Sequence, residues 1–240
     1  MTAPRSLLED CCGWNKKLWA DALAFALSSL PEDLAGKTVL EVGASEDSSV
    51  APIFANRGAN VICSHYGQTS DQVEHGQLDF VLRKYALGKI PVVELDINQL
   101  EGIYDIIVLK SVLGGLCRGD DYAKLRIIID HLLEHVTEKG FIITLDNGYI
   151  TLFDKLRRIR GAGRSDWTYF RREKLVPFLA NYDARIQGFG FLNFGTATFL
   201  FKRDLEIVND SMYFLDKVLV RIFRPKERAV LATVMAKRTG

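Results

Sequence analysis

The chain lacks any excess of charge of one sign: 31 Lys and Arg stand against 30 Asp and Glu in 240 residues, a formal net charge of +1. No global field favours nucleic acid, which is not an expected partner. No stretch reaches the roughly 18 consecutive apolar residues that a membrane-spanning helix needs. The amino terminus shows no basic segment followed by a long apolar run, so no targeting leader is expected. Cysteine is scarce, and Cys11, Cys12, Cys63 and Cys117 show no paired metal-ligand spacing. Neighbouring cysteines such as Cys11 and Cys12 do not bridge without strain, so free thiols in a soluble, cytoplasmic protein are expected. Internal repeats and low-complexity linkers are also missing. The length suits one large α/β domain with a complete core, and is too short for two generous ones.

What is present is an alternation of short apolar runs with helical patterns. Residues 14 to 30 set Trp14, Leu18, Trp19, Ala22, Leu23, Ala26, Leu27 and Leu30 at helical spacing, with Asn15, Lys16, Lys17 and Asp21 on the other side. The organising stretch follows at residues 36 to 48. Val39, Leu40 and Val42 suit a buried parallel strand, Gly43 lets the backbone turn, and Ser48 or Ser49 is placed to cap a helix through Pro52 and Phe54. Further strands are expected at residues 61 to 63, 90 to 95, 104 to 109, 141 to 145, 184 to 191 and 229 to 236. Helices are expected between them, one from Asp120 or Asp121 that Lys139 and Gly140 terminate, and one over residues 204 to 223 with an apolar stripe of Leu205, Val208, Met212, Leu215, Val218, Leu219 and Ile222. In such open sheets ligands bind in the crevice at the carboxyl ends of the strands.

The run Val39-Leu40-Glu41-Val42-Gly43-Ala44-Ser45 resembles the first motif of the class I S-adenosylmethionine-dependent methyltransferases. The family's further glycines are replaced here by Ala44, Ser45, Glu46 and Asp47. The Lys110-Ser111-Val112-Leu113-Gly114-Gly115 run, at the family's fourth motif, is similar to a bacterial subgroup associated with cell-surface polysaccharide synthesis. The resemblance covers most of the chain from about residue 36. It implies a Rossmann-like fold with a mostly parallel seven-stranded sheet, helices on both faces and an antiparallel last strand. It further implies a helical cap over residues 1 to 35, and a methyltransferase domain over 36 to 240 with an insertion at about 149 to 170.

The implied cofactor is S-adenosylmethionine. Glu41, Gly43, Ala44 and Ser45 stand in its first motif, and Lys110 and Ser111 in the fourth. His65 falls where the family's ribose-binding acid is usual, Asp96 matches the acceptor of the adenine amino group, and the Ile97 amide matches the contact to a ring nitrogen. Asp96 equally suits the cap of a short turn.

The remaining candidates come from position. Lys110 suits either an anionic substrate group or a partner carboxylate. Asp146, ending the fifth strand, suits either a substrate hydroxyl whose proton it takes or a turn. Trp167 and Tyr169, beyond the basic segment 155 to 164, offer a sugar a stacking platform or serve as core aromatics, and that segment suits a phosphate, a nucleotide sugar or an anionic lipid headgroup, or is a solvated face. In methyltransferases of similar layout the segment before the first strand covers the cofactor, and the resemblance thus makes Trp14 and Lys17 candidates for a lid. His131 and His135 are four apart on a helix, but no third ligand accompanies them and no metal is expected. The expected activity is O-methylation of a small or sugar-containing acceptor in cell-surface glycan synthesis. The alternative is a non-catalytic relative of the same fold that binds a ligand or partner. An NAD-dependent oxidoreductase is disfavoured, because no full Gly-x-Gly-x-x-Gly and no ribose-binding acid are present.

Overall fold

A computed structural model describes residues 3–45, 48–65, 76–151, 167–191 and 206–237. The element order is α1 (Arg5–Asp10), α2 (Lys16–Leu27), β1 (Thr38–Val42), α3 (Ala51–Ala55), β2 (Asn60–His65), α4 (Gly76–Lys84), β3 (Val92–Glu94), β4 (Tyr104–Lys110), α5 (Leu113–Leu116), α6 (Tyr122–Glu134), β5 (Val136–Asn147), α7 (Arg172–Leu179), β6 (Asp183–Phe189), α8 (Glu206–Phe223) and β7 (Val230–Ala236). The strands form one seven-stranded sheet in the order β3-β2-β1-β4-β5-β7-β6. All neighbours from β3 to β5 are parallel, and β7 runs antiparallel between β5 and β6. This is the expected sheet, antiparallel last strand included.

The near-continuous apolar strands are what a sheet covered on both faces requires. Alternation divides each strand between two cores. Val39, Val108, Ile143 and Leu145 meet Leu18, Trp19, Leu23, Ile53 and Phe54 on the α1 to α4 side. Leu40, Leu109, Ile142 and Leu231 meet Leu125, Ile129, Leu132 and Leu175 on the α5 to α7 side. Each fully buried side chain of this kind contributes roughly 1.5–3 kcal/mol relative to exposure. The expected amino-terminal helix is therefore part of the first core, with Trp19 1% exposed.

Three local expectations are revised. The helix before β5 ends at Glu134, and Gly140 lies inside the strand, where a Cβ would stand 2.6 Å from the Asp105 carbonyl oxygen. Glycine there admits a close strand approach beside the register shift between Tyr104 and Ile106. Neither Ser48 nor Ser49 is the N-cap residue of α3, a place taken by Val50. On α8, Leu215, Val218 and Ile222 of the expected core stripe turn outward instead.

The basic segment 155 to 164 and the loop reaching Thr198 lie outside the described residues. Among the described residues no helix is long and apolar enough to cross a membrane. The four cysteines are buried free thiols.

Candidate active site

β1 ends in Gly43, whose φ of +74° is a left-handed conformation that favours glycine. A Cβ there would lie 2.7 Å from Val112 Cγ2, so the loops after β1 and β4 meet without room for a side chain. Glu41 fixes the start of the next helix from below. Its carboxylate accepts from Ser49 Oγ at 2.5 Å, from the Val50 amide at 2.8 Å and from the Ala51 amide at 2.9 Å. Negative charge at a helix amino end is favourable, and these amides have no partner within the helix. Burial nonetheless raises the Glu41 pKa, against the lowering effect of Ser49 and the two amides.

At the parallel position of β4 stands Lys110, 7% exposed. Its Nζ donates to Ser48 Oγ at 2.8 Å and lies 4.2 Å from the ring centroid of Trp14 and 4.6 Å from that of Trp19. The two indoles meet edge to face, their centroids 5.9 Å apart. Faces of this kind attract a cation electrostatically. Burial lowers the Lys110 pKa, while Cys12 and Glu41 act in the raising direction.

A cleft of about 420 Å³ opens above these groups, lined by Trp14, Gly43, Ser45, Ser48, Lys110, Ser111, Asn147, Trp167 and Tyr169. Gly43, Ser45, Lys110, Ser111, Trp167 and Tyr169 were all expected site residues, and the structure brings them together. Trp14, a lid candidate, lines the cleft too. Lys17 instead forms an ion pair with Asp210 at 2.6 Å. Asn147 and Ser48 had not been expected. Asn147 follows from strand alternation, because it shares the face of Leu145, and its Nδ2 donates to Ser111 Oγ at 3.4 Å. A Cβ on Gly114 would overlap the Trp167 indole, so the two glycines of α5 admit a tryptophan rather than a ligand.

The other expected residues lie elsewhere. Glu41, 2% exposed, sits beneath the loop and not in the cleft wall. The Ala44 amide donates to the Ser64 carbonyl at 2.8 Å. His65 is buried at the end of β2. Asp96 caps the 3₁₀ turn Ile97–Gln99, its Oδ1 accepting from the Asn98 amide at 2.9 Å and from Asn98 Nδ2 at 2.8 Å. The Ile97 side chain packs in the second core.

Asp146 requires a correction. It faces the opposite side of the sheet, in a separate cavity of about 20 Å³ lined also by Leu113, Leu125, Ile129, Phe170 and Thr144. Burial raises its pKa to about 7, although the amides of Gly114 and Leu113 and the Thr144 side chain act the other way. It has no access to a ligand in the cleft. Among the described residues no group of three or more potential metal ligands occurs, and the His135 ring Nδ1 lies 2.8 Å from the Gly102 carbonyl oxygen.

No protein-family model matches the chain, and no curated protein matches it. Solved structures do. One is the Haemonchus contortus phosphoethanolamine N-methyltransferase 2 in complex with S-adenosyl-L-methionine, at 11% identity and TM-score 0.56, covering 92% of this chain and 53% of that one. The chain thus spans about half the length of that enzyme. Another is coclaurine N-methyltransferase bound to N-methylheliamine and S-adenosylhomocysteine, at 12% identity and TM-score 0.55, covering 98% and 81%. A third is the magnesium protoporphyrin IX methyltransferase of Synechocystis PCC 6803 with bound S-adenosylhomocysteine, at 18% identity and TM-score 0.51, covering 73% and 75%. The seven-stranded sheet with its antiparallel β7 is the Rossmann-like fold of these methyltransferases.

Proposed function

We propose that the protein is an S-adenosylmethionine-dependent methyltransferase that O-methylates a small or sugar-containing acceptor, in the synthesis of a cell-surface glycan. The observation that carries the reading is the cleft at the carboxyl ends of β1 and β4, which joins first-motif and fourth-motif residues with a wall of aromatic rings. Its volume falls in the range of small-molecule sites.

The residues present fit the donor. The loop after β1 turns at Gly43 where no side chain has room. Asp96 commits Oδ1 to Asn98, which leaves Oδ2 for an adenine amino group, and the Ile97 amide follows it. His65, buried at the end of β2, stands where the family that the chain resembles usually carries its ribose-binding acid. When bound, S-adenosylmethionine supplies a sulfonium-borne methyl group for in-line transfer to oxygen.

Lys110 holds the acceptor oxygen as its proton leaves. Its depressed pKa favours an amine able to take that proton, and its ammonium form stabilises the oxyanion. Ser48 orients the amine. Trp167 and Tyr169 stack on the acceptor ring, and the amino-terminal segment caps the cleft through Trp14. The glycan class rests on the Lys110 to Gly115 run and on this aromatic wall. Replacement of the usual acid by His65 and of the loop glycines by Ala44 and Ser45 favours a second reading, a non-catalytic ligand-binding relative.

Calorimetric titration with S-adenosylmethionine and S-adenosylhomocysteine, repeated with Asp96→Ala, tests the proposal. Binding by the wild type and its loss in the variant are expected. Absence of heat for both ligands up to about millimolar, a ceiling near −4 kcal/mol, overturns it and leaves the non-catalytic reading. Glycan mass spectrometry on a deletion strain tests the acceptor class, which an unchanged methyl content would exclude.

A further inference from the structure

A helix on the surface of a globular protein normally turns its apolar stripe to the core. α8 does the reverse. Ile207, Phe214 and Ile222 are 83%, 71% and 65% exposed, and Leu215 and Val218 are exposed beside them. Spacings of seven, four and four residues from Ile207 through Phe214 and Val218 to Ile222 put them on one face.

The inward side is held by polar contacts. Lys17 pairs with Asp210 at 2.6 Å, Tyr213 donates to Asp21 at 2.8 Å, Lys217 pairs with Asp21 at 3.1 Å, and Asp216 accepts the Phe191 amide at 2.7 Å. The first three contacts fasten α8 to α2, the fourth ties it to the segment after β6, and the apolar face is left to solvent.

The exposed charge at the carboxyl end of α8 and just beyond it is one-sided. Arg221, Arg224 and Lys226 are exposed. The nearby carboxylates are engaged: Asp216 is buried, and Glu227 accepts from the Thr151 amide at 3.0 Å and from its hydroxyl at 2.5 Å. An apolar face rimmed by cations matches a bilayer with anionic headgroups, where side chains such as Phe214 enter the acyl boundary and arginines meet phosphates.

We propose that the outer face of α8 docks on an anionic lipid bilayer. Because α8 is tied to α2, docking sets the cap and its Trp14 in a fixed relation to the membrane. The inference stands independently of methyl transfer.

Flotation of the full chain with phosphatidylcholine vesicles containing about 30% phosphatidylglycerol, against phosphatidylcholine alone, tests it. Binding to the anionic vesicles alone is expected, with loss of about fivefold for each cation removed in Arg221→Ala and Arg224→Ala. Phe214→Asp with Ile222→Asp should abolish it and leave circular dichroism and melting unchanged, since both side chains already face water. No wild-type binding, or equal binding by the Asp variant, overturns the proposal. A dimer in light scattering that Phe214→Asp dissolves, without vesicle binding, overturns it in favour of a second copy.

Discussion

Lys110 ends β4 and Asp146 stands one residue before the end of the neighbouring β5, one register step apart, because Lys110 pairs with Leu145. Both are almost fully buried, at 7% and 4% exposure. The step of one residue sends them to opposite faces of the sheet. Lys110 meets Ser48 and two indole faces at the mouth of a cleft. Asp146 meets leucine, isoleucine and phenylalanine, and its Oδ1 has no hydrogen-bond partner among the described residues. The lysine amine is thus held by a hydroxyl and two ring faces, with burial lowering its pKa, and the carboxyl group by keeping its proton toward neutral pH. Burial alone therefore does not mark a functional residue; the surface it faces does.

The contrast can be broken first at Asp146, where the largest effect is expected. An unfolded aspartate ionises near its ordinary value of 3.8, whereas the folded one keeps its proton to about 7. Between those values the unfolded state sheds a proton that the folded state retains, so stability falls as pH rises. An asparagine in its place has no such proton to lose. Chemical denaturation should show Asp146→Asn gaining on the wild type from acid pH to about pH 8, by on the order of 4 kcal/mol. A constant difference would refute the assignment.

At Lys110 the expected loss is functional. Lys110→Met keeps a straight apolar stem between Trp14 and Trp19 and removes the amine. For the proposed methyl transfer, activity with labelled donor should fall by about a hundredfold or more while the melting temperature holds. A smaller effect comes from the floor under Lys110. Glu41→Gln replaces one acceptor oxygen with a donor facing Ser49 or the α3 amides, and should cost about 2 kcal/mol in denaturation. Smallest of all, the Lys37–Asp105 ion pair, 3.0 Å long with half-exposed Lys37, gives the solvated counterpart of both buried charges. Lys37→Ala should change stability by less than about 0.5 kcal/mol.

This same one-residue step limited what could be read from sequence. Apolar runs located the strands β1 to β5 and β7, alternation located β6, and the motifs after β1 and β4 located the cleft, because those signals depend on chain-local composition. Position at a strand end carries no parity, and parity with Leu145 puts Asn147, not Asp146, on the cleft side. Ser48 was considered only as a helix cap, yet the capping carboxylate came from Glu41, seven residues earlier than Ser48, across the loop. The stripe on α8 carries helical periodicity, but periodicity alone does not say which side meets the protein. Contacts such as Lys17–Asp210 decide that, and they join residues far apart in the chain.

The indole pair around Lys110 also equips the molecule for spectroscopy. The chain has three tryptophans. Trp14 and Trp167 line the cleft, and Trp19 lies against the Lys110 amine that faces it. No tryptophan elsewhere contributes background emission. Intrinsic fluorescence therefore reads cleft occupancy directly, without a label, and its quenching or blue shift can follow ligand entry in a stopped-flow cell.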